Sequence, residues 1–416
     1  MLGDCCSLSW RRRWSLAVVC VAAWLSAGGA LAAASEADLE PGAFSLGGFG
    51  SLGLARSSNG NAEYLRSVTQ PRGIRDEWTA RNDSVLGVQT TIRLGESLKA
   101  VAQAVVQYRN DASYSPELTR AFISYDLSPR LTLRAGRIDT EFLIGADSRL
   151  VGYSYLPVRP TVDFFGVVPI KYGDGIDARL GWPLDEGVLR ADLFAGVGRE
   201  RLPAYDLNDS KMLKSSVGYD RGPWKFRYTY AQARLSHNIP WLDPLRATLI
   251  QLGAGAAARG LELADTTSRY HSFGAGYDDG VWQVQASVNK ILNESQLIQD
   301  QGAGYVLVGR RVGSLNPFLG YSRVKSTPNA LATGLPNPMF QALNSAVAQA
   351  LAVMHADRHT WSLGVRWDCL RNMDVKLQAD LVRGDRSSLL LLNNNPTPTN
   401  WSGRTTVLTL MFDFVF

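Results

Sequence analysis

Along most of the chain, apolar residues recur at every second position. In LKAVAQAVVQYR, residues Leu98, Ala100, Ala102, Ala104, Val106 and Tyr108 oppose Lys99, Gln103, Gln107 and Arg109. In RAFISYDL, Ala121, Ile123, Tyr125 and Leu127 oppose Arg120, Ser124 and Asp126, and after Ser128 to Arg130 the alternation resumes with Leu131, Leu133 and Ala135. VWQVQASVNK and the closing TTVLTLMFDFVF repeat the pattern, the latter with Leu408, Leu410, Phe412, Phe414 and Phe416 on one parity. A period of two is that of a β-strand with one apolar and one polar face. The strands run about ten residues, roughly twice the usual soluble length and the tilted span of a bilayer. Their polar faces carry many charges in mid-strand.

The connections alternate in length. Short ones fall near 95–97, 128–130, 183–187, 220–223, 278–280, 312–316 and 368–373. Long ones fall near 57–82, 110–117, 138–173, 199–210, 236–266, 291–302, 326–357 and 385–403. Eight long and seven short connections predict sixteen strands, with both chain ends on the short-turn side. A sheet in lipid must close, because an open edge leaves amides unsatisfied in hydrocarbon. The expected fold is therefore all-β, a transmembrane antiparallel barrel. Trp182, Trp224, Trp282 and Trp367 share the apolar parity beside short turns, where an interfacial aromatic belt forms.

The N-terminus predicts export. Arg11, Arg12 and Arg13 precede an apolar run from Trp14 to Leu25, and small residues follow through Ala30, Leu31 and Ala32. This is the order of a signal peptide, 1–32, with a mature barrel over 33–416. The run is too short for a spanning helix, which takes about 20 residues. Cys5, Cys6 and Cys20 leave with the signal and Cys369 stands alone, so neither an intramolecular disulfide nor a thiolate zinc site is predicted. A formal charge of only +5 lacks the clustering of a nucleic-acid protein.

The closing FDFVF, the hairpin AFISYDLSPRLTLRAGRID and the long loop after it resemble the sixteen-stranded outer-membrane porins of Gram-negative bacteria. The resemblance implies short periplasmic turns, long external loops, a location in the outer membrane and assembly as a homotrimer. It also implies that Phe412, Phe414 and Phe416 belong to a signal read by the barrel-assembly machinery. The implied partners are outer-membrane lipid and small hydrophilic solutes, with neither nucleic acid nor cofactor.

By the same resemblance the segment 138–173 folds into the lumen and narrows it. The expected pore-lining charges are Arg134, Arg137, Glu141, Asp147, Arg149, Arg159, Asp163, Lys171 and Arg179. Opposed acids and bases across a narrow pore would set up a transverse field. Counted by parity, the inward faces hold twelve bases, Arg93, Lys99, Arg190 and Lys225 among them, against six acids, which predicts a moderate anion preference. A substrate-selective channel, a barrel enzyme and a receptor or adhesin are the competing functions.

Other motifs carry less. GFGSLG, from Gly48 to Gly53, matches a dinucleotide fingerprint only formally, since it lies inside an alternating strand with no helix to follow. His355 and His359 stand four apart without the zincin glutamate and straddle a loop-to-strand boundary, so no metal site is read there. No serine, histidine and acidic trio can be placed by spacing, and the chain is not read as an enzyme. Phe340, Leu343, Val347, Leu351 and Met354 recur at near-helical spacing within 326–357; a short helix is expected, and whether it or the 236–266 loop gates the pore stays open.

Overall fold

The computed structural model describes residues 43–140, 148–203, 206–392 and 402–416; the segment read as a signal peptide, 1–32, lies outside them. The chain divides between Ser45 and Leu46, and the account below concerns residues from Leu46 on.

Sixteen antiparallel strands close into one barrel. They are β1 (Phe44–Ser57), β2 (Val85–Arg93), β3 (Leu98–Gln107), β4 (Glu117–Ser128), β5 (Leu131–Asp139), β6 (Tyr172–Leu184), β7 (Gly187–Gly198) and β8 (Lys211–Arg221). The second half comprises β9 (Trp224–Arg234), β10 (Thr267–Asp278), β11 (Trp282–Asn293), β12 (Gln301–Arg310), β13 (Leu315–Ser326), β14 (Asp357–Leu370), β15 (Met373–Gly384) and β16 (Arg404–Val415). Each strand pairs with its neighbours in sequence, and β16 returns to β1 from Phe49↔Val415 to Ser57↔Val407. The barrel strands have nine to fourteen residues each, in keeping with a tilted bilayer span.

Outward positions stay apolar and exposed around the ring, as at Leu52, Leu86, Leu193, Val217, Phe273, Val288, Leu319, Leu363 and Leu377. In water such a surface would be unstable; in hydrocarbon it is matched to its solvent. The outward tryptophans Trp182, Trp224, Trp282 and Trp367 remain 43–51% exposed beside short turns, forming the belt that their parity predicts.

The closure explains the glycine-rich first strand. A Cβ at Gly48 would run into the ring of Phe416, and one at Gly50 into the ring of Phe414, so these glycines clear the outer surface of β1 for the terminal aromatics. Phe412, Phe414 and Phe416 line up ring to ring, with centroids 5.9 and 6.3 Å apart. Backbone bonds in both directions between Gly48 and Phe416, 2.8 and 3.0 Å, carry the ladder to the last residue. Gly48 and Gly50 of GFGSLG are thus clearance for aromatic rings.

The long connections hold short helices: α1 (Val162–Phe165), α2 (Asp243–Gln251), α3 (Gly255–Gly260) and α4 (Gln341–Ala352). The last is the helix predicted by the spacing in 326–357; it buries Val347, Ala350 and Leu351. Glu63–Tyr64, in the first long connection, pairs with Leu391–Leu392 in the last. No helix among the described residues is long and apolar enough to cross a membrane; the strands do the crossing.

Candidate functional site

The segment between β5 and β6 leaves one side of the barrel and is bonded to strands on the far side, β13 to β16, and to the β1–β2 region. Its contacts fall on inward positions, those that alternate with the exposed Leu377, Leu381, Leu408 and Leu410. The crossing is visible in the backbone. Lys376 Nζ donates to Gly152 O at 2.7 Å, Arg366 Nη1 donates to Tyr153 O and Tyr155 O at 2.6 and 2.9 Å, and Val158 N donates to Gln378 Oε1 at 2.9 Å. A Cβ at Gly152 would collide with Asp413 and Ser51, so glycine is what lets the segment rest its backbone on the wall.

Charged side chains complete the clasp. The Arg159 guanidinium, 2% exposed, grips Asp83 with two bonds of 2.9 and 2.8 Å. It also reaches Asp380 at 2.9 Å and Thr409 Oγ1 at 2.5 Å. Asp163 accepts from Arg358 Nε at 2.6 Å and from Ser322 Oγ at 2.7 Å. Lys376 lies 2.9 Å from Asp413 and 3.7 Å from Asp374, all three side chains fully buried. Burying an ion is costly unless it is paired, and each of these is paired, although the Asp374 carboxylate and one oxygen of Asp413 accept no hydrogen bond. The fork of Arg159 fits a carboxylate with two parallel bonds, which fixes direction as well as distance.

This geometry corrects the expected roles of Arg159 and Asp163. Both are sealed from solvent in local ion pairs, so they tie the segment to the wall and do not face water as opposed pore charges. Arg137 is corrected too. It shares the outward parity of Leu133 and Ala135, pairs with Asp174 at 2.8 Å and donates to Leu118 O. Arg134 does point inward, bonded to Asp177 at 2.8 Å, with Arg179 Nε 3.8 Å from the same carboxylate. Glu141 and Asp147 lie outside the described residues. Arg149 and Lys171 meet Arg120, Asp139 and Gln103 around a small polar pocket on the β3–β5 side. Lys171 Nζ donates to Thr69 Oγ1 at 2.9 Å and lies 3.9 Å from Glu200. Burial pushes the ammonium of Lys171 and the guanidinium of Arg149 down from their usual ranges, and the Glu200 carboxyl up.

Near the short turns the opposite wall is wetter. Lys99 and Asp126 stand 3.6 Å apart, Arg190 and Asp220 2.9 Å, and all four side chains keep roughly a third or more of their surface exposed. Arg93 on β2 and Lys225 on β9 are exposed on the inward parity near the short turns. Sequence reasoning missed Asp83, Arg358 and Asp374. The inward parity of Arg358 with Thr360, and of Asp374 with Lys376, was the available signal; Asp83 sits in a connection and offered none.

Comparison with known proteins places the architecture. No family model matches the chain, and no curated relative does. Solved structures match along nearly the full length. An anion-selective porin from Comamonas acidovorans aligns with a TM-score of 0.53 and 14% identity over 90% of this chain and 99% of that one. OprB of Pseudomonas putida gives 0.54 and 10%, over 90% and 94%. OmpT, an outer membrane protein of Vibrio cholerae, gives 0.51 and 12%, over 91% and 99%, and a trimer form of it also aligns. The chain has the barrel architecture of Gram-negative outer-membrane porins, at identities that carry the fold and no more.

Proposed function

We propose that this protein is a porin of the outer membrane, a passive diffusion channel for small hydrophilic solutes and ions, with the segment 138–173 as its constriction and a moderate anion preference. The observation that carries the reading is the crossing segment. It is anchored by Arg159, Asp163 and Gly152 to one wall of a closed barrel, while the other wall keeps exposed polar and basic side chains. A segment fixed in this way narrows a water path without sealing it, and Arg93 and Lys225 raise the local concentration of anions within about a Debye length, ~10 Å at 0.1 M salt. Similarity to a porin described as anion-selective supports the same sign.

The channel needs no catalytic step, which separates this reading from a barrel enzyme. A homotrimer belongs to it, as does recognition of Phe412, Phe414 and Phe416 by the assembly machinery. Purified mature protein in a planar bilayer should give stepwise, ohmic conductance with no substrate present. A folded barrel that stays silent would end the proposal. Removing Phe416 should lower the amount of folded, heat-modifiable barrel more than it lowers synthesis; equal assembly would strip that residue of its assigned role.

A further inference from the structure

At the long-loop end, between the crossing segment and the wall from β8 to β12, lies a cavity of about 320 Å³. Separate parts of the chain converge on it. Val68 comes from the first long connection, Val168 and Ile170 from the crossing segment, Leu207 from the β7–β8 connection, Ala231 from β9, and Met354 from just beyond α4. External loops around a watery mouth would be expected to turn polar groups toward it; these turn aliphatic carbon.

Several of the polar residues that reach the cavity are already committed to the protein. Gln70 Nε2 donates to Asn82 O at 3.0 Å. Gln299 Nε2 donates to Leu351 O at 2.9 Å, while its Oε1 accepts from Ser326 Oγ at 2.6 Å. Asn293 Nδ2 donates to Gln299 O at 3.1 Å, and Arg269 at the rim pairs with Glu294. Ordered water wants two to four polar partners, and here most of the lining is aliphatic and several nearby polar groups are taken. Carbon, by contrast, would find dispersion contacts on every side.

We propose that this cavity binds a small, uncharged, apolar molecule of about ten to twelve non-hydrogen atoms. The size follows from comparison: an apolar cavity of ~150 Å³ accepts benzene, and this one is about twice as large, at the lower end of the range for ligand sites. A fused two-ring arene is the matching shape and chemistry. The site stands apart from the channel reading, because a barrel that conducts nothing could still hold the molecule.

The test uses the mature chain folded in lipid nanodiscs, with naphthalene as the probe and protein-free discs to measure partition into lipid. Saturable one-to-one binding is expected above that background. Ala231→Phe should weaken it about tenfold or more by filling the volume, and Met354→Lys should do the same by placing an ammonium among aliphatic groups. Heat-modifiability on a gel reports whether each variant is folded, and either variant alone suffices if the other is not. Naphthalene-1,5-disulfonate, with the same rings and two charges, should not compete. Uptake no greater than in empty discs, undiminished binding in a folded variant, or effective competition by the disulfonate would each overturn the site.

Discussion

The two walls of the lumen solve the same problem in opposite ways. Both carry charge inside a barrel. On β14 to β16 the charges are dry: Lys376 and Asp413 are fully buried, and Arg159 from the crossing segment joins Asp83 and Asp380 out of reach of water. Near the short turns of β3, β4, β7 and β8 they are wet: Lys99 and Asp126 retain 41% and 39% side-chain exposure, and Arg190 retains 56%, although deeper on the same wall Lys214–Asp192 and Arg134–Asp177 are largely buried. Dry pairs are strong, directional and costly to break, so they are suited to fixing a segment in place. Wet pairs are weak and screened, so they can shape the potential felt by passing ions without holding anything. The difference teaches that the sign of a lumen charge matters less than whether water reaches it.

The largest effect should come from breaking the dry wall. Lys376→Met leaves Asp413 and Asp374 buried without their shared cation, a loss of about 3–5 kcal/mol. Urea titration of the folded barrel should show it, with part of the loss recovered when Asp413→Asn is added, because the two sites share one interaction. If the double variant were as unstable as the sum of the singles, the ion pair would not be the source.

Arg159→Ala should act next, and through function. It removes the bonds to Asp83, Asp380 and Thr409 that hold the crossing segment, so single-channel conductance should rise and become noisier while the barrel still assembles. Unchanged traces would detach the segment from the conducting path. The smallest effect belongs to the wet wall. Arg190→Gln removes an exposed pair with Asp220 and should change stability by no more than about 1 kcal/mol. Its visible consequence should be a small loss of anion preference at low salt; a stability loss as large as that of Lys376→Met would erase the contrast between the walls.

The sequence made the barrel legible and the clasp opaque, for a physical reason. Alternation is local: Leu98 to Tyr108 announces its own outward face, and the short and long connections place all sixteen strands. The clasp is not local. Arg159 meets partners 76, 221 and 250 positions away, and no period in the chain records such meetings. The resemblance placed the 138–173 loop in the lumen but said nothing of pairing, so Arg159 and Asp163 were expected to face water when pairing had already removed them from it. Arg137 shows the other failure. Near the end of β5, beyond Gly136 with its φ of 131°, a charge sits on the outward parity because the strand is rising out of the apolar band, where charge is tolerated. The Gly48 and Gly50 pair reads as a motif in sequence and as clearance for two phenylalanine rings in space.

The account rests most heavily on ions moving along the wet wall, and the reversal potential across a potassium chloride gradient tests that directly. With the dry wall neutralised by its own pairs, Arg93 and Lys225 should leave chloride the more permeant ion, and the preference should fade as salt screens them. A clear preference for potassium, or one that does not change with ionic strength, would contradict it.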